Sequence, residues 1–159
     1  MNLKSVPGRV ASLLNWIGGW LQSPALLLIR LAWGFQLYES GWGHLTHIDK
    51  TAQFFVKLNI PFPTASVYIS GVTEWIGGIL LMLGLFSRPI SVLLFFNFCV
   101  VYMTASRASV VKLLHFQNPD DFINADAFPF LVTSLLILAF GPGKIALDCL
   151  LSRRSAAGR

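Results

Sequence analysis

The sequence predicts an all-α polytopic membrane protein, an antiparallel four-transmembrane-helix bundle preceded by an interfacial amphipathic helix at its N-terminus. Three observations carry that fold class. The 159 residues are 55% hydrophobic and only 12% charged, whereas charged residues make up about 25% of an ordinary soluble domain. Residues 67–86 read VYISGVTEWIGGILLMLGLF, about 20 largely apolar positions that at ~1.5 Å rise each cover a ~30 Å hydrocarbon core. Leu85-Phe86-Ser87-Arg88-Pro89 is a turn so short that the helices it joins must be antiparallel neighbours.

Taken in order, residues 1–23 form a cytoplasmic, interfacial amphipathic segment. Lys4 and Arg9 precede Val10, Leu13, Leu14, Ile17, Trp20 and Leu21 at one-face spacing, with Trp16 and Trp20 suited to headgroup depth. Asn15 and Gln22 interrupt the apolar run, and no small-residue cleavage site follows, so a signal peptide is not the reading. Pro24 opens the first span, 24–43, because a first helical turn does not need its missing N–H. Ala52, Phe54, Phe55 and Leu58 suit one side of a short surface helix, and Ile60-Pro61-Phe62-Pro63 must be extended. The second span is 67–86 and the third 90–106, opened by Pro89. Residues 107–125 read as a polar loop, with Phe122 and Ile123 leading into the interface. The fourth span, 126–141, has Pro129 in its first turn and ends at Gly141-Pro142-Gly143. The membrane domain covers 24–148, and a basic cytoplasmic tail, 149–159, holds Arg153, Arg154 and Arg159.

Charge orients the chain. The net charge is +5, but the basic residues flank apolar spans, which is the pattern of membrane anchors rather than of nucleic-acid binding. Both ends and the Arg88 turn are basic with almost no acids, so both termini are expected in the cytoplasm. Cys99 and Cys149 form no CxxC pair, which argues against a disulfide scaffold and dithiol chemistry.

The candidate site rests on ionisable residues at membrane depth, which are expensive there and are functional candidates by default. Glu74 sits mid-span, with Gly71, Gly77 and Gly78 at helical spacings around it. Arg30, Gly34, Leu37 and Gly41 make a matching stripe on the first span. Small residues on both stripes let the two backbones approach closely. Counted at ~1.5 Å per residue from the cytoplasmic boundary, Arg30 lies at about 8 Å, Asn97, Thr133 and Ser134 at about 12 Å, and Glu74 at about 18 Å. That common slab predicts that Arg30 reaches toward Glu74, directly or through Asn97 or a water. The pair is either a structural tie between helices or part of a small-molecule pocket with Glu74 as its proton-active group. A second set, Glu39, Trp42, His44 and His47, with Asp49 and His115, lies toward the outer end of the first span. Wetted interfacial histidines are the reading adopted there over a metal site. The sequence holds no HExxH, P-loop, GxSxG, or GxGxxG opening a helix, so hydrolase and nucleotide sites are unsupported.

The runs LIRLAWGFQLYESGWGHL, FFVKLNIPFP, TEWIGGILLMLGLFSRP and LILAFGPGKIALD resemble the DoxX family of small four-span bacterial membrane proteins. The resemblance extends from Arg30 to Asp148, with Glu74, Gly77, Gly78, Gly84 and Arg88 as its most specific part. It departs where the family usually carries lysine: this chain reads Gly41-Trp42-Gly43-His44, and histidine charges only conditionally. The family takes its name from a subunit of a terminal quinol oxidase, and relatives are linked to thiosulfate:quinone oxidoreduction. The resemblance therefore implies a bacterial inner-membrane protein near quinone or sulfur redox chemistry. It does not make this chain itself a catalyst.

The expected function is an accessory or quinone-binding subunit of a membrane redox system, with Arg30, Glu74, Asn97, Thr133, Glu39 and His44 as ligand-binding or proton-active candidates. The rival expectations are a solute- or lipid-handling membrane module and a structural scaffold. Expected partners are the lipid bilayer, a membrane redox-enzyme subunit and further copies of the chain.

Overall fold

The computed structural model describes the backbone of residues 6–157 and the side chains of residues 10–152. Lys4 and Arg159, and the side chains of Arg9, Arg153 and Arg154, lie outside the described residues. Within them every regular element is helical. In order these are α1 (Val6–Thr46), α2 (Ile48–Lys57), α3 (Pro63–Leu83), α4 (Ser87–Thr104), α5 (Arg107–Leu114), α6 (Asp120–Ile123), α7 (Phe128–Phe140) and α8 (Leu147–Ala157).

The first departure from the sequence reading is α1. A separate interfacial helix was expected before a span opening at Pro24, but one helix of 41 residues runs through Pro24. At ~1.5 Å per residue it is about 60 Å long, twice a hydrocarbon core. A proline inside a helix removes one i→i−4 bond and bends the axis, and the leucine-rich turns that follow sustain the helix past it. Before Pro24 the apolar residues are exposed all round, Trp16 at 63% and Trp20 at 71%.

α3 is the centre of the packing. Its most extensive partner is α1, and it also meets α2 and α4, while α7 packs on α4 and α1. The α1–α3 contact is backbone against backbone. A Cβ on Gly78 would fall 2.6 Å from the Tyr38 nitrogen, and one on Gly34 would fall 3.0 Å from the Gly78 oxygen. Gly34 opposite Gly78, and Gly41 opposite Gly71, make the two helices antiparallel and fix their register. The neighbouring Gly77 faces the other way, where its Cβ would lie 3.1 Å from the Leu94 side chain on α4. Inside a bilayer such packing is driven by van der Waals contact rather than by exclusion of water, so loss of Cβ volume at these positions is what admits the contact. Leu37, Leu81, Leu94 and Ile137 fill the interior with at most 1% exposure, and Phe98 stacks on Phe130 at 5.0 Å.

Helix ends have local causes. Gly84 (φ +66°) closes α3 in a Schellman arrangement, its N–H donating to the Leu81 oxygen at 3.1 Å and that of Leu85 to the Leu80 oxygen at 3.0 Å. α4 begins at Ser87 rather than at the expected Pro89 region because the Asp148 carboxylate accepts from the Phe86 and Ser87 N–H groups at 2.9 and 2.8 Å. The stretch 107–125 is not the polar loop the sequence suggested: α5 and α6 fold back, with Val110 and Phe122 against the core. Tyr102 stacks on Phe122 at 4.4 Å and donates to its carbonyl at 2.9 Å. Phe122 and Ile123 therefore belong to α6 and do not extend the last apolar helix.

The outward faces of α3 and α4 are apolar, with Ile69, Val72, Ile76, Leu93, Val100 and Met103 all exposed. These two helices are long and apolar enough to cross a membrane. α7 is apolar throughout but has 13 residues, about 20 Å of axis.

Candidate functional site

Glu74 is 3% exposed, held mid-helix between α1 and α4. A buried carboxylate needs donors, and three neutral groups supply them. Ser70, one turn earlier on α3, donates to Oε1 at 2.9 Å, and Asn97 of α4 donates to the same oxygen at 2.9 Å. Ser40 of α1 donates to Oε2 at 2.7 Å. His44, one turn beyond Ser40, brings Nε2 to 3.6 Å from Oε2, an ion pair only when the imidazole is protonated. Oε1 thus accepts two hydrogen bonds, and Oε2, the oxygen that His44 approaches, accepts one.

This cluster heads a cavity of about 530 Å³, within the ~300–1,000 Å³ range of small-molecule sites. Beyond Ser40, His44, Ser70, Glu74 and Asn97, its walls are mainly apolar, with Phe55 from α2, Phe96 from α4 and Phe130 from α7 among them. Phe55 also packs against the His44 ring at 6.4 Å, so α2 helps to position the histidine. Ile69, Leu93, Phe96 and Val100 line the cavity while being exposed on the outer apolar faces. A hydrophobic molecule thus has an apolar route inward.

The expected Arg30–Glu74 pair is absent, and this is the main correction to the sequence reading. The glycine register sets Arg30 beside Gly84 and sets Glu74 beside Ser40. Each offset is ten residues, about 15 Å along the axes, and no arginine side chain spans that. Arg30 is fully buried and donates through Nη2 to the carbonyl of Ile145, while its Nε and Nη1 have no partner among the described residues. Among the described residues no carboxylate lies within ion-pair distance of it. The α7–α8 connection is tied down: the Asp148 N–H donates to the Gly84 oxygen at 3.0 Å, and the Lys144 N–H to Ser23 Oγ at 3.2 Å. Arg30, Gly84 and the Asp148 segment form a latch about 15 Å along the helix axes from the Glu74 cluster.

The other candidates divide. Asn97 and His44 join Glu74. Thr133 and Ser134 are buried on α7 outside the cavity, Ser134 donating to the Phe130 carbonyl at 2.8 Å. Glu39, His47 and His115 are exposed and do not line it. Trp42 is exposed and packs on Trp75 at 5.7 Å. Ser40 and Ser70 escaped the sequence reading, although each lies four residues before a candidate, His44 and Glu74, and so shares its helix face.

An apolar-surfaced all-helical chain with one hydrogen-bonded carboxylate at the head of an apolar cavity defines a small integral membrane protein. The chain belongs to the DoxX family, whose profile matches residues 25–107. It is 30% identical over 132 residues to the inner membrane protein YphA of Escherichia coli K12, covering 79% of this chain and 89% of that one. It is 27% identical over 146 residues to the uncharacterized membrane protein Rv3486 of Mycobacterium tuberculosis H37Rv, covering 84% and 85% respectively. No solved structure matches the chain.

Proposed function

We propose that this DoxX-family protein binds a quinone-like molecule in the Glu74 cavity as an accessory component of a redox system in the bacterial inner membrane. In this reading α1, α3, α4 and α7 all cross the bilayer, with both termini in the cytoplasm. The inner-membrane name of the Escherichia coli relative supports the location, and the basic ends support the orientation. The observation that carries the ligand class is the Glu74 carboxylate, with His44 Nε2 3.6 Å from its Oε2, at the head of an apolar cavity of about 530 Å³.

The residues fit such a molecule in both of its forms. A quinol hydroxyl donates to Glu74 Oε2, whereas a quinone carbonyl accepts from His44 Nε2 when that nitrogen carries hydrogen. The tail lies along Phe96 and Phe130 and leaves between the lipid-facing side chains of α3 and α4. Bound quinone supplies a two-electron, two-proton carrier. The chain's own contribution is to hold the head group in the apolar interior and to keep Ser40, Ser70 and Asn97 oriented on Glu74. His44, partly exposed, is the polar group between Glu74 and the surface.

Photolabelling tests this. An azido-quinone with a decyl tail should label α4 and α7 peptides containing Phe96 and Phe130. An excess of decylubiquinone should suppress the labelling, and Glu74→Gln should reduce it severalfold. Labelling confined to the outer face of α1 around Leu31 and Phe35, indifferent to competitor, would reject the proposal.

A further inference from the structure

The cavity is negative in a positive protein. Among the described residues no Lys or Arg lines it, whereas two carboxylates do: Glu74 at its head and Asp126, exposed, on the segment leading into α7. Its one basic side chain among the described residues is His44. Five phenylalanine rings face the same space, at positions 54, 55, 96, 98 and 130. Among the described residues the buried Glu74 carboxylate has neutral donors and no permanent counter-cation, an incomplete electrostatic arrangement. Aromatic faces add attraction for a cation that has shed its water.

We infer that the Glu74 cavity accepts lipophilic cations, organic amines or phosphonium-like molecules whose charge lies between Glu74 and Asp126 against the phenylalanine rings. The inference rests on the cavity being a ligand site, as proposed above, and adds a charge preference to it. A lipophilic cation supplies the counter-charge that Glu74 lacks, and its hydrocarbon part meets walls that are already apolar. A neutral molecule of equal size gains the apolar contact alone. An anionic one is opposed by both carboxylates.

The test uses the full chain in detergent micelles, titrated calorimetrically with tetraphenylphosphonium, with neutral triphenylphosphine oxide and with decylubiquinone. The phosphonium should bind about tenfold more tightly than the oxide, the gain expected of one desolvated cation–π or charge contact. Asp126→Asn, an exposed substitution, should cut that ratio by roughly threefold, a rim charge contributing under 1 kcal/mol. Equal or tighter binding of the oxide overturns the inference, as does an unchanged ratio in both Asp126→Asn and Glu74→Gln. If decylubiquinone binds without any cation preference, only the inference falls. If none of the three molecules binds, the ligand-site reading falls with it.

Discussion

Gly41→Leu should lower thermal stability by about 10 °C, the equivalent of ~3 kcal/mol for a chain of this length. A Cβ at Gly41 meets the Trp75 backbone nitrogen, the Gly71 carbonyl oxygen at 2.6 Å and the Trp75 Cα at 2.8 Å. All three are main-chain atoms of α3, so no rotamer change relieves the overlap and the helices must separate. That separation also opens the α1–α3 contact on which the Ser40–Glu74 hydrogen bond depends. Gly43→Leu is the control two residues away: nothing lies within 4 Å of its added Cβ, and the change should stay within ~0.5 kcal/mol. Melting curves of the two variants in detergent measure the difference. Equal effects would mean that α1 and α3 are not in backbone contact.

Asp148→Ala should be the next most severe change, at about 2 kcal/mol. The carboxylate satisfies the Phe86 and Ser87 N–H groups that open α4, and the Asp148 N–H donates to the oxygen of Gly84, the residue beside the buried Arg30. Losing a side-chain acceptor that serves the first N–H groups of a helix costs up to about 2 kcal/mol. Asp148→Asn, which keeps one acceptor oxygen for these N–H groups, should lose less than Asp148→Ala in the same melting experiment. Equal losses in the two variants would show that the side chain does not cap α4.

The sequence reading succeeded where local spacing decides the outcome. Gly34, Leu37 and Gly41 share a stripe, Gly71 and Gly78 answer it, and the structure packs these stripes together. The burial of Glu74 and the presence of Asn97 nearby also followed from helix period and depth. What spacing could not supply was register. Depth counted from Pro24 set Arg30 within reach of Glu74, but the close glycine contacts fix the axial offset of α1 on α3, and that offset separates the two charges. Arg30 finds its acceptor 115 residues away at Ile145, and Asp148 caps a helix that begins 61 residues earlier. Neither link leaves any local trace. Pro24 misled for a related reason: a proline predicts a helix start only when the flanking turns cannot sustain the helix, and here they do. In 107–125 the polar residues masked Val110 and Phe122, whose burial against α4 and α7 folds the segment into α5 and α6.

The central claim is that Glu74 belongs to a ligand cavity and Arg30 to a separate structural latch. The affinity of decylubiquinone for Glu74→Gln and Arg30→Met, measured on monodisperse protein, tests that division most directly. Glu74→Gln replaces a carboxylate with an amide and should weaken binding by about tenfold, while Arg30→Met, some 15 Å away along the helix axes, should leave affinity within about twofold. Equal losses in the two variants, or a loss in Arg30→Met alone, would contradict the account.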